Sequence, residues 1–166
     1  MNLAITVIVG LIVILIIFAC VRRYFVRRIT RRLQEDAQRQ TDRAMSWALD
    51  QLVAHEQLTP DQRTTTHSKE VANVWGRGVM AFEYVIEDFK GDTNEAKKLR
   101  TALSRELQAY ADANQVRSSV SDVVFEVSDL WQHEDRLHLD VAYLMNEPTV
   151  EYLEDLKKLD DKNELP

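Results

Sequence analysis

Residues 3 to 21, LAITVIVGLIVILIIFACV, hold seventeen apolar side chains, one Thr, one Gly and no charge. A helix over this run is about 30 Å long, the thickness of a bilayer's hydrocarbon core. A helix that is apolar on every side needs apolar surroundings on every side. The rest of a 166-residue chain supplies one modest core, too small to enclose such a helix. The run is therefore read as a single transmembrane anchor over residues 1–21.

Charge sets its direction. No Lys or Arg precedes the run, whereas Arg22, Arg23, Arg27, Arg28, Arg31 and Arg32 follow it. A cluster of cations next to a span stays on the cytoplasmic side. The expectation is a single-pass protein of the cell membrane, N-terminus outside and C-terminal domain in the cytoplasm. A long Ile/Val/Leu run behind a short uncharged start suits a bacterial inner membrane. The same six Arg form a membrane-surface site for anionic lipid headgroups, at about 1 kcal/mol per cation.

Ile17-Phe18-Ala19-Cys20 resembles the lipobox of bacterial lipoproteins, in which a small residue precedes a lipidated Cys. That resemblance implies an exported lipoprotein beginning at Cys20. Phe18 fits the pattern poorly, no cationic segment precedes the run, and the Arg cluster opposes export. Without export, Cys20 is a small apolar residue at the membrane edge, open to acylation. As the only Cys it excludes a disulfide framework within one chain.

Between Leu11 and Thr59 there is neither Gly nor Pro, and Leu33, Ala37, Ala44, Ala48 and Leu52 recur mostly at helical spacing. Residues 22–58 are read as a basic collar and helical stalk with a break near Gln38 to Asp42. The Ala-rich stripe favours packing on the chain's own domain over a coiled coil. Thr59-Pro60-Asp61-Gln62 marks a helix start with a capping-box partner at Gln62. A helix is expected from Ser68 to Lys90, with Val71, Trp75, Phe82, Val85, Ile86 and Phe89 on one face and Gly76 and Gly78 in its middle. Gly91 ends it, and Asp92 and Glu95 cap a second helix to about Ala113, so the two form an antiparallel pair.

The period then changes to two. Phe125 and Val127, then Leu137, Leu139, Val141 and Tyr143, alternate with polar residues across a turn at Gln132 to Asp135, which reads as a β-hairpin. Arg136, His138 and Asp140 fall on its water-facing side. Asn146-Glu147-Pro148 starts a last helix carrying Val150, Leu153, Leu156 and Leu159, and an acidic tail occupies 161–166. The fold class is α+β: an anchor, a stalk, then a small domain over 59–160 of two or three helices, a hairpin and a C-terminal helix. The hairpin's edges either pair with another chain or stay solvated.

Residues 22 to 43 carry eight Arg against three acids, and residues 44 to 166 carry thirteen cations against twenty-four acids. The acidic body excludes nucleic acid as a partner, since phosphate contacts need clustered cations. No phosphate-binding glycine loop, helical zinc motif or nucleophile elbow occurs. His133, His138 and Asp140, with Asp135, are the weak candidates for a metal or hydrolytic site, because imidazole and carboxylate suit a divalent ion. On a half-solvated hairpin, polar residues at those positions are expected without any metal.

The reading that follows is a membrane-anchored, non-catalytic interaction domain acting as adaptor, anchor or regulatory subunit, with no cofactor. Its partner is another membrane or cytoplasmic protein, and a homo-oligomer is compatible with it. Trp131, Arg136, His138 and Asp140 are the partner-binding candidates, Trp131 as the exposed aromatic anchor.

Overall fold

A computed structural model describes residues 2–63, 68–71 and 78–163, side chains excepted at 2–7, 9, 25–30, 63 and 160–163. Helix α1 spans Asn2–Ala54 without a break at Gln38 to Asp42. A 3-10 turn follows at Pro60–Arg63, then β1 (Lys69–Glu70), β2 (Ala81–Ile86), α2 (Thr93–Ala113), β3 (Phe125–His133), β4 (Arg136–Tyr143) and α3 (Glu147–Asn163). Two compact units divide between Glu35 and Asp36.

The first unit is the helical segment to Glu35. Its described apolar side chains are exposed, with Leu15, Phe18 and Ile14 all more than half exposed. Among the described residues no helix is long and apolar enough to cross a membrane. The continuous stretch of this segment with described side chains, Gly10 to Tyr24, is shorter than a span of about 20 residues.

The second unit, from Asp36, is α+β around a four-stranded antiparallel sheet in the order β1-β2-β4-β3. β2 and β3 both run antiparallel to β4, so they are parallel to each other and α2 is the crossover between them. The hairpin β3–β4 is thus half of a larger sheet, which meets the requirement that a lone hairpin needs more strands or cover.

The expected helix from Ser68 to Lys90 is corrected: Ala81–Ile86 is a strand. Phe82, Tyr84 and Ile86 alternate with Ala81, Glu83 and Val85, and the first three are buried under the helices. Spacing at Phe82, Val85, Ile86 and Phe89 fits a helix equally well, and what decides is the six-pair register with β4. The expected antiparallel helix pair is replaced by a strand-to-helix connection through Gly91. There a Cβ would stand 2.5 Å from the Phe89 ring, so glycine is needed for the close approach. Trp75 and Gly76 lie outside the described residues.

One sheet face, here the inner face, carries Phe82, Tyr84, Ile86, Leu137, Leu139, Val141, Phe125 and Val127. α2 covers it with Leu99, Leu103 and Leu107, together with the last part of α1 through Met45, Leu49 and Leu52, all buried. The second half of the 22–58 segment is therefore core, consistent with a helix packed on its own domain. A polar clasp fixes it. The Tyr84 hydroxyl donates to Asp42 Oδ1 at 2.8 Å, Ser68 Oγ donates to the same oxygen at 2.6 Å, and Gln38 Nε2 donates to the Ser68 carbonyl at 2.8 Å. Burial, with the Asp42 charge beside it, raises the Tyr84 hydroxyl's pKa, which keeps it a neutral donor.

The helix starts behave as their sequences suggest. Asp92 and Glu95 close a reciprocal capping box on α2. Gln62 Oε1 accepts from the Thr59 N–H at 3.0 Å, though only a 3-10 turn follows. Asn146 Oδ1 accepts from the Thr149 N–H at 3.0 Å at the start of α3.

Candidate functional site

The second, outer face of the sheet is ordered in rows that cross β2, β4 and β3, since directly paired residues share a face. Ala81, Ala142 and Glu126 form the first row, Glu83, Asp140 and Asp129 the second, and Val85, His138 and Trp131 the third. Arg136 and His133 form the fourth, next to the two-residue turn.

α3 covers the first row. Ala81 and Ala142 are fully buried beneath Tyr152, Leu153 and their neighbours, and Lys157 pairs with Glu126 at 2.9 Å. The helix does not cover the third and fourth rows, where Trp131 is 39% exposed and Arg136 and His133 are exposed. The second row lies at the border between them.

A β-bulge makes this arrangement. The β3 register passes from Val127 opposite Val141 to Asp129 opposite Asp140, leaving Ser128 extra. One inserted residue reverses the alternation, so Val127 and Leu130 both join the core while Asp129 and Trp131 turn outward. Ser128 Oγ donates to the Asp140 carbonyl at 3.2 Å and holds the bulge against β4. Were Ser128 paired in plain alternation instead of standing extra, Trp131 would share the inner face with Val127.

All four expected partner-binding residues fall on this one face. Trp131 stacks on His138 with ring centroids 5.1 Å apart and planes 15° from parallel. His138 Nδ1 and Glu83 Oε1 are hydrogen-bonded at 2.8 Å. Arg136 pairs with Glu87 at 3.3 Å.

Asp140 departs from expectation. It was expected to point to water, yet it is 5% exposed, because α3 reaches the second row. Its Oδ1 is buried without a hydrogen-bond partner among the described residues. Burial, then the charges of Asp129 and Glu83 on either side, push its pKa up to about 7. The Tyr152 hydroxyl is pushed up to about 12 by burial and by the nearby Asp140 charge.

The metal candidates do not converge. His133 sits two residues beyond Trp131, opposite the cationic Arg136, away from Asp140 along the strand. Among the described residues, no three His, Cys, Asp or Glu side chains are grouped so as to hold an ion.

Sequence reasoning missed Glu83, Asp129, Ser128 and Tyr152. Glu83 was hidden inside the misassigned helix, although the alternation of Phe82, Tyr84 and Ile86 around it was a usable strand signal. A concavity of about 660 Å³ lies between residues 57–62, 88–91 and the first half of α2. Two of its polar side chains are already engaged: Gln62 Nε2 donates to the Asp88 carbonyl, and Glu95 accepts from the Asp92 N–H.

In the basic segment, Arg22, Arg23, Arg31 and Arg32 are exposed, with Arg31 paired to Glu35 at 3.4 Å. Arg27 and Arg28 lie outside the residues with described side chains. Cys20 is exposed. No family model, curated protein or solved structure matches this chain.

Proposed function

We propose that this chain is a single-pass membrane-anchored protein whose α+β unit is a non-catalytic cytoplasmic interaction module, an adaptor, anchor or regulatory subunit. The observation that carries the interaction reading is the uncovered part of the outer sheet face. Trp131 stands there exposed, braced by His138, on a sheet that helices otherwise cover on both sides. A rigid, partly exposed aromatic with polar groups around it is the composition of a protein-binding hot spot.

The membrane part rests on sequence: nineteen residues with no charge, followed within eleven residues by six Arg. Arg22, Arg23, Arg27, Arg28, Arg31 and Arg32 are assigned to the cytoplasmic lipid surface, where anionic headgroups attract them.

Strand addition is the weaker mode of contact. In the middle of the β3 edge, Arg100 Nη2 donates to the Val127 carbonyl at 2.7 Å, and Asp129 Oδ1 accepts from the Leu130 N–H at 2.7 Å. Both backbone groups are ones an added strand would need.

A photo-crosslinking residue at position 131 in the full chain, in its native membrane, tests the reading. Adducts with a protein are expected from position 131 and not from exposed Lys97 on α2. Equal labelling from both positions, or none from 131, would remove the assignment of the outer face.

A further inference from the structure

α3 is the last element of the chain, and it covers only part of one sheet face. It buries Tyr152 and Leu153 on a seat of Ala81, Ala142 and Leu144. Two hydrogen bonds tie its start down. The Met80 N–H donates to Thr149 Oγ1 at 2.9 Å, and Asn146 Nδ2 donates to the Gly78 carbonyl at 2.8 Å. A terminal helix with a short apolar contact is the kind of element that opens locally while the rest of a domain stays closed.

The same helix closes over Asp140, which is 5% exposed with one oxygen unmatched among the described residues. Glu83 on β2 and Asp129 on β3 stand directly opposite it. Along β4 the next residue on this face is His138, whose ring is engaged by Glu83. From α3 the Tyr152 hydroxyl lies near it. Among the described residues no cation pairs with Asp140: Lys157 of α3 is bonded to Glu126, and Arg136 to Glu87. α3 itself carries six acids against three lysines. The neutral acid is tolerated in this place. The carboxylate is not, since it loses its water under α3 and faces two like charges.

We infer that α3 is a proton-gated cover, seated on the outer face while Asp140 is protonated and lifting from it when Asp140 ionises. Lifting returns the carboxylate to water. Between its ordinary value of 3.8 and about 7, the seated state holds a proton that the lifted state has released. Seating therefore weakens as pH rises through that window and is level above it. Once α3 lifts, Ala81, Ala142 and Leu144 join Val85 and Trp131 on one open face. The cover involves this chain alone, and its consequence for a partner rests on the interaction reading above: the surface offered grows as pH rises towards 7.

The test is amide hydrogen exchange, read by NMR on the full chain in non-ionic detergent micelles and expressed as protection relative to an unfolded chain at the same pH. Lifting frees the Met80 N–H and leaves the Leu103 N–H of α2 closed. Protection at Met80 should thus be lower than at Leu103 and insensitive to urea below the global transition. From pH 5 to pH 7 it should fall about 50-fold, with no further change from pH 7.5 to pH 8.5. In Asp140→Asn it should not vary with pH. Asp129→Asn, at an exposed position, removes one flanking charge and should reduce the fall, which keeps the test open if Asp140→Asn does not fold. Three results would each overturn the inference: protection at Met80 that is indifferent to pH in the parent chain, an undiminished fall in either variant, or protection that tracks Leu103 in both pH and urea.

Exchange needs no partner, so it separates the cover from the wider reading. If Met80 behaves as stated and position 131 gives no adduct, the cover stands and the interaction reading falls. If adducts form and Met80 is indifferent to pH, the interaction face stands and the cover falls.

Discussion

Asp140 shows how one residue's chemistry changes once an element unrelated to its strand lies over it. Alternation along Arg136, His138 and Asp140 assigns all three to a polar face, and all three are on it. The alternation carries no information on α3, which arrives from the far end of the chain and stops at the second row. The acid's ordinary pKa of 3.8 rises to about 7, so between these values the folded state holds a proton that the unfolded chain has released. Its contribution to stability is therefore largest below about pH 4, falls as pH rises towards 7, and is level above that. Asp140→Asn removes this slope. The variant should gain on the parent chain with rising pH, by on the order of 2 kcal/mol between pH 4 and pH 8 after allowance for solvent screening. Urea melts at the two pH values measure it, and a difference that stays constant with pH would refute the assignment.

At the scale of elements, the cap signals and the period-two hairpin hold, whereas periodicity alone fails at residues 81 to 86. The Asp92–Glu95 pair reads as a capping box from spacing and forms one. Asp92→Ala should cost about 1 kcal/mol, read as a lowered urea midpoint with an unchanged slope. Residues 81 to 89 satisfy a helical and a strand pattern at once, and the choice belongs to β4, whose second side needs a partner strand. Nothing local to Phe82 or Ile86 carries that information.

The bulge was equally hidden, because Ser128 is an ordinary strand-edge residue until Val127 and Leu130 both have to face the core. Deleting Ser128 would make Val127 and Asp129 consecutive opposite Val141 and Asp140, removing the bulge while Leu130 stays inward and Trp131 outward. The expected result is a folded protein that loses about 1 kcal/mol with the Ser128–Asp140 hydrogen bond, measured by thermal melting. Failure to fold would mean that Ser128 is more than the extra residue of this register.

For the whole molecule, two kinds of information had to be combined. The α+β class, the hairpin, α2 and α3 could be read from residues 92 to 160. The extent of the sheet could not, because β1 and β2 lie in a region where Thr, Gly and aromatic residues mix three patterns. The stretch of residues 36–54 resolves the ambiguity of the stalk: weak in sequence because its core positions are mostly Ala, it is nevertheless core, since small side chains let α1 lie close to the sheet. The proposed anchor rests on composition and charge. The proposed function combines the two as a small acidic module at a membrane surface, with one part of one sheet face left for a partner.

The most direct test of that account is topology. Two reporters fused in turn after Pro166, one fluorescent only in the cytoplasm and one active only after export, locate the α+β unit. The account predicts fluorescence with no export activity, and a reversal of that pattern when Arg22, Arg23, Arg27, Arg28, Arg31 and Arg32 are replaced by Glu and cations are added ahead of residue 3. Export activity from the unaltered chain would contradict it, place the module outside the membrane, and make lipidation of Cys20 the next question.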